Sequence, residues 1–244
     1  MDVLAVIPAR GGSKSVPRKN LQLLHGIPLV AYSIEVALRS GFISHVIVST
    51  DDDEISEVSK SYGADVVKRP SSISGDFSRD HELFEHLTKV RNLPSETLIT
   101  FLRPTHPIRN PQTLQKAFDL FVSRMNEYDS LRSLKKSSEI IFKKWGIMPN
   151  GEAIPAYNPQ LTNVEDPCNA PRQLLPDTYY QDGYVEVFPL ATINKYKNTS
   201  GRRILPFIVA EYSQDIDTVE ELASVNQFLT AEDLPVWFRY PQKK

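Results

Sequence analysis

VLAVIPARGGSKSVPRKN (residues 3–20) decides how the rest of the chain is read. It opens with a continuous apolar run, Val3–Ile7, and continues as a loop holding Gly11, Gly12 and the cations Arg10, Lys14, Arg18 and Lys19. A short apolar run bounded by turn residues reads as a buried strand. Glycines just after a strand permit positive φ and let backbone N–H groups approach a ligand closely. Cations beside them supply charge for a polyanion, and together these features make a phosphate cradle. The spacing matches neither G-x-x-x-x-G-K-[ST] nor G-x-G-x-x-G, so the loop is neither a P-loop nor a dinucleotide fingerprint. A solvated surface loop with incidental charges is the competing reading, and the residues alone leave both open.

Outward from this loop, apolar runs alternate with helical patterns. HVIVST (45–50), ADVVKRP (64–70) and TLITFL (97–102) read as further strands, and Leu29–Arg39, Ile55–Tyr62, His81–Val90 and Pro111–Arg124 as helices. Strands that are continuously apolar, each followed by a helix, predict a mostly parallel, twisted α/β sheet with helices on both faces. After about residue 135 the chain becomes rich in Pro, Asn and Lys without clean periodicity. So long an irregular segment in a compact domain is expected to be functional or to pair with something. Strand patterns resume at YVEVFPL (184–190) and ILPFIVA (204–210), and a last helix is expected over Thr218–Leu229.

Composition narrows the function classes. The 244 residues carry 28 basic and 30 acidic side chains, a net charge of -2. That speaks against a dedicated nucleic-acid binder. A single cysteine, Cys168, excludes an internal disulfide framework and fits a reducing compartment. No apolar run approaches the roughly 20 residues needed to cross a bilayer, and Val3–Ile7 is too short for a signal segment. The expectation is a cytoplasmic protein without a membrane or nucleic-acid partner.

A second constellation lies at SQDIDT (213–218), where Asp215 and Asp217 flank one isoleucine. In an extended segment both carboxylates share a face. Two hard oxygen ligands on one side suit Mg²⁺, while Asp217 as N-cap of the last helix is the plainer reading. Asp51, at the end of a strand where open α/β sheets bind ligands, is a third acidic candidate, with Asp52 or Asp53 as alternative helix caps.

Taken in order, IPARGGSKSVPRKN, VIVSTDD, VVKRP, LRPTHPIR, PRQLLPDTYYQDG and DIDT resemble the cytidylyltransferases that activate nonulosonic acids, the CMP-sialic acid (N-acylneuraminate) synthetases. The resemblance covers nearly the full length. It implies a Rossmann-like nucleotidyltransferase fold as a single domain over residues 1–244, with 140–175 inserted as a dimerisation arm, and hence a homodimer. It implies Mg²⁺ as cofactor, CTP as donor and a sialic acid-like nonulosonic acid as acceptor. By the same resemblance Arg10, Gly11, Gly12, Ser13, Lys14 and Lys19 meet the CTP triphosphate, and Asn20, Arg69 and Asp80 surround the nucleoside. Arg103, Thr105, Arg172, Gln173, Tyr180, Gln181 and Asp182 meet the sugar acid. Asp215 and Asp217 hold the metal and, with Arg10 and Lys14, form the catalytic group. Asp80 is alternatively the cap of the helix at His81.

Two departures bear on the acceptor. Many bacterial relatives have glutamine where Arg103 stands, in LQPTSP, and an arginine where this chain has Tyr180. Arg103 is therefore a candidate for the sugar carboxylate, the alternative being a brace paired with an acid such as Asp182. Other function classes to separate are a nucleotidyltransferase for a 3-deoxy-octulosonate or a sugar phosphate, and a non-catalytic nucleotide-binding protein. His106 and Cys168 are expected to be structural, and Ile140, Ile141, Phe142, Trp145 and Ile147 to supply an apolar subunit interface.

Overall fold

Strand β1 (Val3–Pro8) splits its side chains between two cores. A computed structural model describes residues 2–228 of the chain. In it Val3, Ala5 and Ile7 join one apolar cluster and Leu4 and Val6 another, as the two-residue period of a strand requires. The first cluster takes residues from helices α1 (Leu29–Leu38), α2 (Asp53–Ser61) and α4 (Pro111–Arg124). The second takes Leu83, Phe84 and Leu87 of α3 (Asp80–Arg91) and Leu190 and Ile193 of α5 (Leu190–Tyr196). Helices therefore cover both faces of the sheet, as expected. In the second cluster Phe84 meets Phe101 and Phe188 edge-on, each at 5.1 Å between ring centres, a favoured aromatic geometry.

The short strands β2 (Leu23–Leu24) and β3 (Ile27–Pro28) pair antiparallel with one another. The main sheet adds β4 (His45–Thr50), β5 (Asp65–Lys68), β6 (Leu98–Phe101), β7 (Ser130–Lys136), β10 (Tyr179–Pro189) and β11 (Ile204–Ile208) to β1. Its order is β11-β7-β10-β6-β1-β4-β5. β1 pairs parallel with β4 and β6, β4 parallel with β5, and β10 antiparallel with β6. The chain leaves β1 toward β4 and later returns to β6 on its other side. That reversal opens a crevice at the carboxyl ends of β1 and β6, where open α/β sheets bind ligands.

Caps set the helix starts. Asp52 Oδ1 accepts from Ile55 N at 2.9 Å at α2, and Asn110 Oδ1 from Gln112 N at 2.8 Å ahead of Pro111 at α4. Helix α6 (Val219–Phe228) starts one residue later than expected, and Leu229 lies outside the described residues. Thr218 Oγ1 accepts from Glu221 N, and Glu221 Oε2 accepts from the Thr218 and Asp217 amides. This capping box replaces the expected Asp217 cap and leaves the Asp217 carboxylate free of the helix.

Strand β7 and helix α5 carried no sequence signal of their own. β7 reads SLRSLKK; one of its cations, Arg132, is matched by the buried Glu186, with Nη2 3.0 Å from Oε2.

The chain divides into two units, one running to Ser133 and resuming at Asp182, and a second of Leu134–Gln181. The second unit contains the antiparallel pair β8 (Trp145–Ile147) and β9 (Ala153–Pro155). Its Phe142 is fully buried and packs on Tyr157 at 5.0 Å between ring centres, so it serves the unit's own core rather than an interface surface. Trp145, Ile147, Met148 and Ile154 are exposed.

Candidate active site

The loop after β1 is shaped by close approach rather than by left-handed backbone. Neither Gly11 nor Gly12 has positive φ; in this loop that conformation falls on Arg18, at 52°. Gly11 is required because Asp52 is so near: a Cβ there would lie 2.9 Å from the Asp52 Cβ. Its N–H donates to Asp51 Oδ1 at 2.9 Å, which occupies Asp51 with loop support, while Asp52 caps α2 and pairs with Arg18. A Cβ on Gly12 would meet nothing.

The loop folds over a cleft of about 300 Å³ at the carboxyl ends of the strands, the lower end of the range for ligand pockets. Arg10, Ser13, Lys14, Lys19 and Asn20 enter it from the loop after β1, Arg69 from the end of β5, and Arg103 and Thr105 from the end of β6. Asn20 is buried and donates to Arg10 O at 2.8 Å, fixing the loop's entry. Arg69 is also buried and donates to Ser49 Oγ at 3.1 Å and to Ser49 O at 2.8 Å. Burial pushes its pKa down, with Asp51 and Asp80 opposing. Asp76 and Asp80 are the acids on the cleft wall.

Asp80 does not cap α3. It is the first helical residue, and Glu82 closes the turn by accepting from Arg79 N at 2.6 Å. The Asp80 carboxylate instead takes Arg103 Nη2 at 2.7 Å, and Glu186 takes the same nitrogen at 3.1 Å. Arg103 also lies 4.6 Å over the Phe101 ring. The alternative partner Asp182 is not used. Asp182 is buried and accepts from Tyr184 N at 3.1 Å and Ser213 Oγ at 3.4 Å.

Asp215 and Asp217 stand on one face because Ile216 between them is fully buried beside Leu24, Tyr32 and Leu222. Ile216 N donates to Thr105 O at 2.9 Å, tying the segment to the end of β6. Asp217 pairs with Lys19 at 2.7 Å. His106 Nδ1 stands 3.4 Å from Asp215 Oδ1. Burial pushes the Asp215 pKa up, but the Thr105 side chain and the nearby His106 and Lys19 outweigh it and hold it low. Both carboxylates thus adjoin the cleft through its own residues Lys19 and Thr105. They are hard oxygen donors on an accessible face, a donor set that fits a divalent cation whose other ligands come from substrate phosphates. No cluster of three or more His, Cys, Asp or Glu that would hold a metal by itself occurs among the described residues.

Sequence reasoning overlooked Arg109. Its guanidinium is wholly buried, and none of its hydrogen bonds goes to a carboxylate. It donates to Tyr184 O at 2.6 Å, Arg103 O at 2.8 Å, Ser33 Oγ at 3.0 Å, Gly183 O at 3.3 Å and His106 O. Burial pushes its pKa down to about 10, against the opposing charges of Tyr184, Asp182 and Asp215. It therefore pins the backbone that carries Arg103, Thr105 and His106. The only available signal was its place in LRPTHPIR.

Of the remaining candidates, Arg172, Gln173, Tyr180 and Gln181 belong to the second unit. There Arg172 Nη2 donates to Ser138 O at 3.1 Å, and Tyr180 is exposed.

A mostly parallel sheet with a cationic cleft beyond its strand ends, flanked by two carboxylates, is an arrangement suited to phosphorylated ligands. The sequence model of the family described as cytidylyltransferase matches residues 4–145. The chain belongs to the cytidylyltransferase family. It is 30% identical over 216 residues to N-acylneuraminate cytidylyltransferase of Oncorhynchus mykiss, covering 88% of this chain and 47% of that protein. It is 39% identical over 126 residues to CMP-N,N'-diacetyllegionaminic acid synthase of Legionella pneumophila, covering 49% and 53%. The chain thus spans about half the length of these relatives. Among solved structures, a CMP:2-keto-3-deoxy-manno-octonic acid synthetase complexed with CTP shares the fold. Its TM-score is 0.68 at 17% identity, with 93% of this chain and 98% of that one covered. No helix among the described residues is long and apolar enough to cross a membrane.

Proposed function

We propose that this protein transfers CMP from CTP to the anomeric hydroxyl of a nonulosonic acid and releases pyrophosphate. The observation that carries the reading is the cleft itself: Arg10, Lys14, Lys19, Arg69 and Arg103 converge from three strand ends, with Asp215 and Asp217 adjoining. The relatives' names extend it to the acceptor class.

In this reaction the anomeric oxygen attacks the α-phosphorus, the bond to the β-phosphate oxygen breaks, and the hydroxyl proton passes to solvent. Such transfers need positioning and charge stabilisation more than a covalent intermediate. Arg10 and Lys14 face the charge that grows on the leaving pyrophosphate. Lys19 serves CTP binding, and Asn20 holds the loop around the nucleoside side. Asp80 offers an acceptor that suits an amino group such as cytosine N4. Arg103 and Thr105 take the acceptor side. Asp215 and Asp217 would hold Mg²⁺, which would supply Lewis acidity toward the attacking hydroxyl and charge balance for the phosphates. His106 stands beside Asp215, its Nδ1 3.4 Å from Oδ1.

The deciding experiment measures pyrophosphate release with CTP, UTP, GTP and ATP against a panel of nonulosonic acids, 3-deoxy-octulosonate and sugar phosphates. Release with CTP and at least one nonulosonic acid is the expected result; release only with a sugar phosphate would overturn the acceptor class. Asp215→Asn and Asp217→Asn should each remove most turnover with the fold intact, since exposed substitutions usually cost under about 0.5 kcal/mol of stability. Near-normal turnover of both at limiting Mg²⁺ would remove the metal role.

A further inference from the structure

The two cations given above to the pyrophosphate end of CTP are already engaged by one carboxylate. Asp76 lies 3.2 Å from Arg10 Nη1 and in direct contact with Lys14 Nζ. The neighbouring Gly75 O accepts from Arg10 Nη1 at 2.8 Å. A carboxylate bound this way presents anionic oxygens to the donors that a phosphate would use. A phosphate cannot take those donors while Asp76 keeps them, because like charges at contact distance repel. The carboxyl is held below its usual range, chiefly by the hydrogen bond from Lys14, with burial opposing and the charges of Lys14 and Arg10 adding to it. Asp76 is therefore an anion wherever the phosphates are.

We propose that Asp76 is a specificity-determining residue of the nucleotide site, an internal counter-anion that a ligand must displace from Arg10 and Lys14. The proposal rests on the nucleotide reading of the cleft. Only a ligand with enough phosphates to satisfy both cations gains by the exchange. A monophosphate leaves Asp76 in place and gains nothing from either cation. The CMP-bearing product is then released once pyrophosphate has left and Asp76 has returned. The surrounding chain allows the exchange. Asp76 sits between a single 3-10 turn, Ser71–Ile73, and the start of α3, and its neighbour Phe77 is 98% exposed and anchors nothing.

The test is calorimetric titration of the full chain, wild type, Asp76→Asn and Asp76→Ala, with CTP, CMP and inorganic pyrophosphate in metal-free buffer. Both variants should bind CTP and pyrophosphate about three- to fivefold tighter than wild type, the step expected when ion pairs that face solvent no longer compete. CMP affinity should stay within about twofold, below that step. Unchanged or weaker pyrophosphate binding in both variants would overturn the proposal and show that Asp76 only positions the cations. Equal tightening for CMP would also overturn it, by removing the discrimination by phosphate number. If wild type bound no nucleotide while pyrophosphate still bound tighter to Asp76→Asn, the counter-anion would stand and the nucleotide reading would fall.

Discussion

Gly11 and Gly12 face different surroundings, and the difference is measurable. A Cβ on Gly11 would press on the Asp52 Cβ, a position too close to its backbone to yield, whereas one on Gly12 has open space. Gly11→Ala should cost about 1–3 kcal/mol, typical of overpacking, at about 2–4 °C in Tm for each kcal/mol. Gly12→Ala should leave Tm unchanged; equal effects would remove the steric account. Arg109 makes a larger demand. Arg109→Met removes the buried donor that serves Tyr184 O, Gly183 O and His106 O, and each buried acceptor left unpaired costs about 1–3 kcal/mol. Arg109→Lys, which keeps charge but not the planar fork, should raise the acceptor KM more than the CTP KM, because the backbone of Arg103 and Thr105 loses its anchor. At Arg103 itself, Arg103→Gln should weaken acceptor binding or change acceptor preference while CTP affinity stays nearly the same. An unchanged acceptor profile would leave Arg103 as a brace between Asp80 and Glu186.

Among the elements, the start of α6 connects stability with the proposed metal site. The Thr218–Glu221 box takes up the amide of Asp217, so the cap and the carboxylate pair share one turn. Thr218→Ala should cost about 1 kcal/mol and raise the Mg²⁺ concentration needed for half-maximal turnover. A fall in Tm with no change in metal dependence would separate the cap from the site. The same box explains why the Asp217 cap was misjudged from sequence. Both Asp217 and Thr218 are good caps, and only the path of Ile216 into the core decides which side chain turns toward the helix. Strand β7 was illegible for a related reason. A strand bearing Arg132 reads as exposed until Glu186, far away in the sequence, provides its partner.

For the whole molecule, acid should be the limiting stress. Asp129 and Asp215 keep pKa values below normal although burial pushes both up, Asp129 through the backbone amides of Arg202 and Arg203 and Asp215 through His106 and Thr105. A carboxylate whose pKa is lower folded than unfolded contributes stability above the unfolded value and loses it as pH falls through the folded one. Tm followed against pH should therefore be level above about pH 5 and decline as pH falls below about 4. A flat profile down to pH 3 would contradict these assignments. The second unit exposes Trp145, Ile147, Met148 and Ile154, an apolar surface suited to a subunit contact. We expect a dimer by sedimentation at micromolar concentration and a monomer for Trp145→Asp combined with Ile147→Asp; a wild-type monomer would sink the proposed arm.

Local pattern by itself determined the α/β class, because buried parallel strands are continuously apolar and their helices carry a contrasting period. It also marked out the cationic loop after β1 and the Asp215–Asp217 pair, because alternation along an extended segment is a property of the backbone alone. Tertiary structure decided what those side chains meet. It paired Arg103 with Asp80 and Glu186, Lys19 with Asp217, and Arg10 and Lys14 with Asp76. It also buried Arg109 between the carbonyls of its own turn, Arg103 and His106, and those of the distant Gly183–Tyr184 segment. Charge partners are chosen by distance in space, and the order of strands in the sheet, which no local period encodes, sets that distance.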